Sequence, residues 1–248
     1  MSDAENIDKG RFARLYEDVY TGASEWRTLG AIDKAKNIVA LCSALPHDRI
    51  VEVGAGDGAI LQRLSELGFG AELTALELSH SAVETIRRRK IPAVVGAVEY
   101  DGAHFPFPSS RFDLAIISHV LEHAEEPRLL LYEAARVAQF VFVEVPAEDT
   151  FRLEWDHHDE ERMGHINFYS PTTIRRLCQT CGFEVIAQRL TNTSRAVYQA
   201  LQKEPLATVK YVIKETAMRL LPCIAVRVWN YNASLVMRKG LVNCAPDL

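Results

Sequence analysis

Short apolar runs alternate with amphipathic stretches from Arg49 onward, and this alternation restricts the fold more than any other feature of the chain. Apolar runs of about four to eight residues are typical of buried strands, and apolar residues at helical spacing indicate helices packed on them. We therefore predict a doubly wound α/β fold with a mostly parallel sheet. The predicted strands are 50–53, 73–78, 93–96, 112–118, 140–145, 183–188 and 233–237, and the clearest helices between them are 59–67, 81–89 and 127–137.

Two further segments frame this array. Residues 1–48 carry two helical patterns before the first strand, so we predict an N-terminal helical cap there and the main domain at 49–248. More than forty residues with helical periodicity separate the sixth predicted strand from the seventh. Because connections of this length are usually functional, we predict a helical lid at 190–230.

Composition and charge narrow the class of partner. A formal net charge of -5 over 248 residues gives no broad cationic surface for a phosphate backbone, so we expect a small-molecule partner and no nucleic acid. The acidic N-terminus, without a basic stretch and an apolar run, favours a cytoplasmic location. The apolar stretch at 217–229 is interrupted and too short for stable membrane insertion. The sequence leaves both a monomer and a homodimer open.

The five cysteines are scattered, which favours reduced thiols. Only Cys178 and Cys181 have the spacing of a redox or metal pair, but they fall late in a helical pattern and no second pair accompanies them. We interpret this pair as structural.

A glycine-rich loop, Glu52-Val53-Gly54-Ala55-Gly56-Asp57-Gly58, follows the first predicted strand and leads into a helix. Small residues at this position allow the backbone to approach a ligand closely at a helix N-terminus. The spacing of Gly54, Gly56 and Ala59 also satisfies the nicotinamide-dinucleotide pattern. Asp57 would repel a pyrophosphate, however, and Glu52 suits the ammonium group of a methionine moiety, so we favour a cationic ligand without phosphates.

Later segments add to this interpretation. Glu77 ends the second strand where doubly wound folds place an acid that accepts ribose hydroxyls, which indicates an adenosine cofactor. An Asp101-Gly102 turn, a Phe105-Pro106-Phe107 step, a Phe112-Asp113 strand start and a Leu121-Glu122-His123 segment follow in that order.

With these ordered segments the sequence resembles the class I S-adenosylmethionine-dependent methyltransferases, in their small-molecule branch, over roughly residues 48–189. The resemblance implies a seven-stranded Rossmann-like sheet with an antiparallel last strand and S-adenosyl-L-methionine as cofactor. It further implies that Glu52, Gly54, Ala55 and Gly56 flank the methionine part. The other implied contacts are Glu77 and Leu78 at the ribose, Asp101 and Gly102 at the adenine, and a backbone carbonyl of Ser118 or His119 facing the ammonium. Glu99 is a rival for the adenine position.

The histidines allow two interpretations. The segment His119-Val120-Leu121-Glu122-His123 matches the His-x-x-Glu-His pattern of inverted zinc peptidases. Because it directly follows a predicted strand of an α/β array, we expect no metal there and predict His123, then His119 and His165, as candidate general bases. Residues 155–161 form either a substrate lip or a solvated acidic loop.

In the predicted cap, Tyr16 and Tyr20 could close over a sulfonium, since aromatic faces attract cations, although a packing stripe is the commoner meaning of their spacing. The predicted function is O- or N-methylation of a small molecule by in-line transfer. A nicotinamide-dependent oxidoreductase and a non-catalytic S-adenosylmethionine-binding regulator are the alternatives. The methyl acceptor cannot be read from the sequence.

Overall fold

Seven strands form one sheet in the order β3-β2-β1-β4-β5-β7-β6. The computed structural model describes residues 25–151, 153, 164–201 and 205–240, with backbone alone at 25–27. Only β7 is antiparallel to its neighbours, which confirms the predicted fold class. The strands are β1 Arg49–Val53, β2 Glu72–Glu77, β3 Val94–Glu99, β4 Phe112–Ser118, β5 Ala138–Ala147, β6 Phe183–Thr191 and β7 Tyr231–Lys239.

Helices cover both faces of the sheet. Alternate residues of β1 belong to different faces: Ile50 packs with α1, α2 and α3, whereas Val51 packs with α4 and α5. This two-sided burial is the reason that the central strands are predominantly apolar. The helices are α1 Glu25–Cys42, α2 Ala59–Glu66, α3 His80–Arg89, α4 Pro127–Val137, α5 Pro171–Thr180, α6 Arg195–Leu201, α7 Leu206–Leu220 and α8 Pro222–Val228.

Strand ends differ most from the sequence prediction at the edge and in the late strands. β3 continues to Glu99, beyond the predicted end at Gly96, and β5 and β7 are both longer at each end than predicted. β3 is an edge strand, and Gly96 interrupts its apolar residues, so the apolar run before this glycine predicts a strand that ends too early. The extra residues of β3 bring its end close to Asp101, two residues later.

Three helices, α6 to α8, lie between β6 and β7, within the region predicted as a lid. Helix α8 meets the chain that follows β5, because the Phe151 N–H donates to the Arg227 carbonyl at 2.9 Å. Several large apolar side chains of α7 and α8 are exposed, among them Leu206, Leu220 and Ile224. No helix in the described part of the chain is both long and apolar enough to cross a membrane.

Candidate functional site

The glycine loop connects β1 to α2 at the carboxyl edge of the sheet. The backbone N–H groups of Gly54 and Ala55 both donate to the carbonyl of Leu76, at 2.8 and 3.3 Å, so the loop turns over the end of β2. Gly54, Gly56 and Gly58 all have positive φ angles, between 55° and 79°. L-residues rarely adopt this conformation, and the loop therefore requires glycine at these positions.

Gly54 also has a steric reason to be glycine. A Cβ atom added there would lie 2.5 Å from Cγ2 of Val120, which belongs to the turn after β4. Within the sheet Val53 pairs with Ile117, so the residues that follow β1 and β4 emerge side by side. The glycine loop is thus packed directly against the segment that carries Ser118, His119 and the following turn.

Glu52 is buried in β1 with a carboxylate oxygen, Oε2, that has no hydrogen-bond partner. Burial raises the pKa of the Glu52 carboxyl well above its ordinary value, Lys34 on α1 opposes this rise, and Glu77 and Asp57 add to it. A buried polar atom without a partner is costly. An ammonium group of a ligand would supply the missing partner.

Glu77, at the end of β2, is buried and fixes the loop. Its Oε2 accepts from the Gly56 N–H at 2.7 Å, and its Oε1 accepts from the N–H groups of Leu78 and Ser79 at 2.8 and 3.1 Å. A carboxylate has about four acceptor positions, so these bonds leave capacity for a hydroxyl group. Glu77 therefore joins the glycine loop to the end of β2 at the position predicted for the ribose.

The structure gives Asp57 a role that the sequence analysis missed. Its Oδ1 accepts from the Ala59 N–H at 3.1 Å at the start of α2, and its Oδ2 forms an ion pair with Arg89 at 2.6 Å. Because Arg89 offsets its charge, Asp57 repels a pyrophosphate less strongly than the sequence implied. The preference for a ligand without phosphates therefore depends more on Glu52.

Asp101 and Glu99 occupy different environments near the end of β3. The Asp101 carboxylate accepts from the N–H groups of Ala103 and His104, at 2.8 and 2.7 Å, and these bonds together with the His104 side chain lower its pKa to about 2. Glu99 instead pairs with His80 at 2.8 Å. A Cβ at Gly102 would lie 3.5 Å from Leu78, whose side chain is exposed, so the Asp101 turn adjoins the end of β2.

A buried polar network lies at the ends of β4 and β5. Glu144 accepts from Asn37 at 2.7 Å and from Ser234 at 2.6 Å, and the Ser118 hydroxyl lies 3.5 Å from it. The His119 ring lies between Glu144 and Glu122, with Nε2 3.5 Å from the first and Nδ1 3.2 Å from the second. These contacts have ion-pair distances without hydrogen-bond alignment, since His119 Nε2 and both Glu122 oxygens have no hydrogen-bond partner.

The ionisable groups of this network shift one another's pKa values. Burial and Lys34 lower the pKa of His119, but Glu122 and Glu144 outweigh them, so that its pKa is raised. Burial opposes ionisation of Glu144, yet His119, Ser234 and Lys34 keep its pKa below the ordinary value. His119 also has a φ of 56°, a strained value for a residue with a side chain. This histidine is therefore fixed in place by its backbone and by two acids.

His123 and His165 come together although they are distant in sequence. Their rings meet edge to face with centroids 4.8 Å apart. His165 Nδ1 pairs with Glu148 at 2.7 Å, and His123 Nδ1 lies 3.0 Å from the Gly164 carbonyl. Burial lowers the pKa of His123. Burial also acts to lower the pKa of His165, but the neighbouring Glu148 carboxylate opposes this, and the net result is a raised pKa. The three predicted base candidates thus occupy one region beside the glycine loop.

Some residues of this site were missed, and some predicted residues lie outside the described part of the chain. Sequence reasoning did not find Lys34, Asn37, Glu144 or Glu148, whose partners are far away in the chain. The only available signal was that Glu144 lies late in the predicted strand 140–145 and that Glu148 follows shortly after it. Tyr16, Tyr20 and residues 155–161 fall outside the described residues. Cys178 is buried, and burial raises its pKa to about 12, which agrees with a structural role.

Residues 25–188 match the sequence model of the methyltransferase domain. The chain belongs to this methyltransferase family. The ubiquinone biosynthesis O-methyltransferase of Azoarcus sp. is 22% identical over 209 residues, which cover 75% of this chain and 86% of that protein. The malonyl-[acyl-carrier protein] O-methyltransferase of Hahella chejuensis is 26% identical over 193 residues, 73% and 67% of the two chains.

Two further comparisons extend this finding. The mitochondrial ubiquinone biosynthesis O-methyltransferase of Schizosaccharomyces pombe is 31% identical, but only over 91 residues, 34% of this chain and 31% of that enzyme. The structure of geranyl diphosphate methyltransferase in complex with S-adenosylmethionine shares the fold at a TM-score of 0.63 and 14% identity, over 95% of this chain and 93% of that chain.

Membership in this family distinguishes between the two enzyme classes, methyltransferase and oxidoreductase, that the pattern of the glycine loop allowed. The chain is a class I S-adenosylmethionine-dependent methyltransferase, as the sequence predicted, rather than a nicotinamide-dependent oxidoreductase. The orphan Oε2 of Glu52 and the tight packing at Gly54 fit a ligand that carries an ammonium group and approaches the backbone closely.

Proposed function

We propose that this methyltransferase methylates an oxygen atom of a small, partly apolar molecule. The observation that carries the proposal is the cluster of histidines and buried carboxylates at the ends of β4 and β5, packed against the glycine loop through Val120. In open α/β folds, ligands bind at the carboxyl ends of the strands, which is where this cluster lies.

Oxygen is favoured over nitrogen by chemistry. A hydroxyl group becomes a better nucleophile when a neighbouring group takes or displaces its proton, whereas a neutral amine needs no such help. Histidines 119, 123 and 165 supply groups of this kind. The relatives from Azoarcus, Hahella and Schizosaccharomyces are named as O-methyltransferases, which supports the same acceptor class.

The cofactor would be held by the glycine loop and the neighbouring strand ends. Glu52, Ala55 and Gly56 would flank the methionine part, with a carbonyl of Ser118 or His119 facing its ammonium group. When bound, S-adenosylmethionine supplies an activated methyl group. The main contributions of the chain are then alignment of the acceptor and exclusion of water.

The nucleoside part would lie over the ends of β2 and β3. Glu77 would accept the ribose hydroxyls with the capacity that its three backbone bonds leave. Asp101 and Gly102 would meet the adenine, and the exposed side chain of Leu78 beside Gly102 offers an apolar surface for the ring. Because the Asp101-Gly102 turn adjoins Leu78 at the end of β2, Asp101 is the better candidate of the two acids.

The acceptor would enter beneath helices α6 to α8. The hydrogen bond from Phe151 to the Arg227 carbonyl joins α8 to the chain after β5, close to Glu148. Exposed apolar side chains on both partners, Phe151 and Ile224 among them, favour an acceptor with an apolar portion. A lid role for 190–230 and an aromatic contact from Tyr16 and Tyr20 remain predictions.

A panel of matched acceptors tests the proposal. Phenols, carboxylic acids and primary amines of the same carbon skeletons are incubated with the protein and deuteromethyl-labelled S-adenosylmethionine, and products are identified by mass spectrometry. We expect the label on oxygen. Transfer to amines alone would refute the choice of oxygen, and tight cofactor-product binding without transfer to any acceptor would favour a non-catalytic regulator.

A further inference from the structure

We propose that Glu122, His123 and His165 form a binding site for one divalent transition-metal ion, at the position where the methyl acceptor would lie. One carboxylate oxygen of Glu122 and one ring nitrogen of each histidine lie within 4.8 Å of one another. The placement beside the acceptor depends on the proposed function, whereas the existence of the metal site does not.

The backbone is arranged to bring these three residues together. The N–H groups of Ile166 and Asn167 both donate to the backbone carbonyl of Glu122, at 2.8 and 3.0 Å. The Asn167 side chain also donates to the carbonyls of Leu121 and Ala124, at 3.0 and 2.7 Å. These bonds attach the segment that carries His165 to the turn that carries Glu122 and His123.

Glu122 supplies the strongest sign that a ligand is missing. Its side chain is 0% exposed, and neither carboxylate oxygen accepts a hydrogen bond in the described part of the chain. His119 Nδ1 lies 3.2 Å from Oε1 of Glu122 but is not aligned to donate a hydrogen bond to it. A buried carboxylate with so few partners is costly, and buried charges are normally paired or coordinate a metal. A cation between Glu122 and the two imidazoles would satisfy it.

Both histidines make the Nδ1 contact that is common among metal-binding imidazoles. Metal-binding imidazoles usually donate their second ring N–H to a carboxylate or a backbone carbonyl, which fixes the tautomer. Here Nδ1 of His165 faces the Glu148 carboxylate at 2.7 Å, and Nδ1 of His123 faces the Gly164 carbonyl at 3.0 Å. An imidazole that donates from Nδ1 carries its lone pair on Nε2, the nitrogen suited to the metal.

The site differs from the zinc motif that the sequence offered. In that motif His119 and His123 would bind one ion together. The structure instead places the His119 ring between Glu122 and Glu144, and brings in His165 from a distant segment. The expectation of no metal followed from the position of this segment directly after a strand of an α/β array, and it did not consider His165 as a ligand. In this proposal His123 and His165 are metal ligands rather than general bases.

Two imidazoles and one carboxylate suit zinc, iron, cobalt or manganese. Metal–ligand distances near 2.1 Å separate neighbouring ligand atoms by about 3–4 Å, so binding requires the three side chains to close by about 1 Å. Three protein ligands leave further coordination positions for exchangeable oxygen ligands. A hydroxyl of the methyl acceptor could take one of them, and a metal-bound hydroxyl releases its proton to water at lower pH than a free one.

Direct metal titration tests the site. The full chain, with any affinity tag removed, is stripped with a chelator and titrated with Co²⁺ or Zn²⁺, with binding followed by visible absorption of cobalt and by elemental mass spectrometry. We expect one ion per chain and a zinc-induced rise in melting temperature that a chelator reverses. Substoichiometric binding with no thermal shift would overturn the proposal.

Matched variants locate the ion. Glu122→Gln and His165→Gln should each weaken metal affinity at least tenfold, and Glu148→Gln should weaken it by about 10–100-fold through loss of orientation of His165. His47→Gln, which alters a histidine stacked on Phe69 in the other part of the core, should leave affinity unchanged. Equal affinities in all four variants would refute the assignment.

A parallel titration with S-adenosylhomocysteine separates this inference from the proposed function. If His165→Gln loses metal binding but still binds S-adenosylhomocysteine normally, the result supports the metal site, whichever acceptor is found. Methylation of oxygen by the metal-free enzyme would refute a role of the metal in binding the acceptor. Failure of the metal titration would refute the metal site but would leave the proposed function intact.

Discussion

Replacing Gly54 by alanine tests how the glycine loop is built. Gly54 has a φ of 68°, and a Cβ there would lie 2.5 Å from Val120 Cγ2 and 3.5 Å from its Cγ1. Gly68 offers a matched control, since its φ is 64° and a Cβ there would meet nothing within 4 Å. The two substitutions share the backbone penalty and differ in the contact with Val120.

The expected magnitudes follow from these two terms. A left-handed conformation costs an L-residue about 1 kcal/mol, so Gly68→Ala should lower the free energy of unfolding by about that amount. Crowding against a stiff, β-branched neighbour costs about 1–3 kcal/mol more, so Gly54→Ala should lose about 2–4 kcal/mol. The double variant Gly54→Ala/Val120→Ala should lose at least ~1 kcal/mol less free energy of unfolding than the sum of the losses in the two single variants.

Urea denaturation measures the stabilities, and calorimetric titration measures the affinity for S-adenosylhomocysteine. We expect Gly54→Ala to weaken binding by more than about tenfold, a loss of ~1.4 kcal/mol, while Gly68→Ala leaves it unchanged. Equal destabilisation by Gly54→Ala and Gly68→Ala, or additive effects of Gly54→Ala and Val120→Ala, would refute the argument from Val120.

Three other substitutions probe buried polar groups by urea denaturation. Burial lowers the pKa of Lys214 to about 7, so from pH 7 to 9 the unfolded chain binds more protons there and stability rises with pH. Lys214→Met should remove this increase, so the free energy of unfolding of the wild type should rise relative to that of the variant by up to ~1.4 kcal/mol per pH unit. Parallel plots of stability against pH for the two proteins would contradict this role of Lys214. Ser234→Ala removes a 2.6 Å bond to Glu144 and should cost about 1.5–3 kcal/mol; a loss below ~0.5 kcal/mol would argue against that bond. Asn167→Ala should cost about 1–3 kcal/mol, because two backbone carbonyls lose their donor, and an unchanged stability would count against the attachment of the His165 segment.

Elements with strong local signals were predicted well from the sequence. The strand 112–118 and the helix 127–137 have the predicted bounds, because a continuous apolar run defines the first and a proline at the first helical turn marks the second. The glycine loop was identified because its residues are adjacent in sequence. In the edge strand β3, Gly96 interrupts the apolar residues, and the predicted strand ended there although the observed strand continues to Glu99.

Long-range partners could not be predicted. Glu144 meets Asn37 and Ser234, which lie 107 and 90 residues away in the chain, and no local pattern indicates such a network. The same holds for His165 and the Glu122 turn, whose association depends on backbone bonds across a long connection. Asp57 is a further example: its charge was evident from the sequence, but its ion pair with the distant Arg89 was not.

The most direct test of the assignment is calorimetric titration of S-adenosylhomocysteine into the wild type and Glu52→Gln. The buried carboxylate of Glu52, whose Oε2 has no hydrogen-bond partner, is the group that we expect to meet the ammonium of the ligand. We predict stoichiometric binding by the wild type and at least tenfold weaker binding by the variant, which should be no less stable because a costly buried acid is gone. Equal affinity in the two proteins, or no binding by the wild type, would contradict the account.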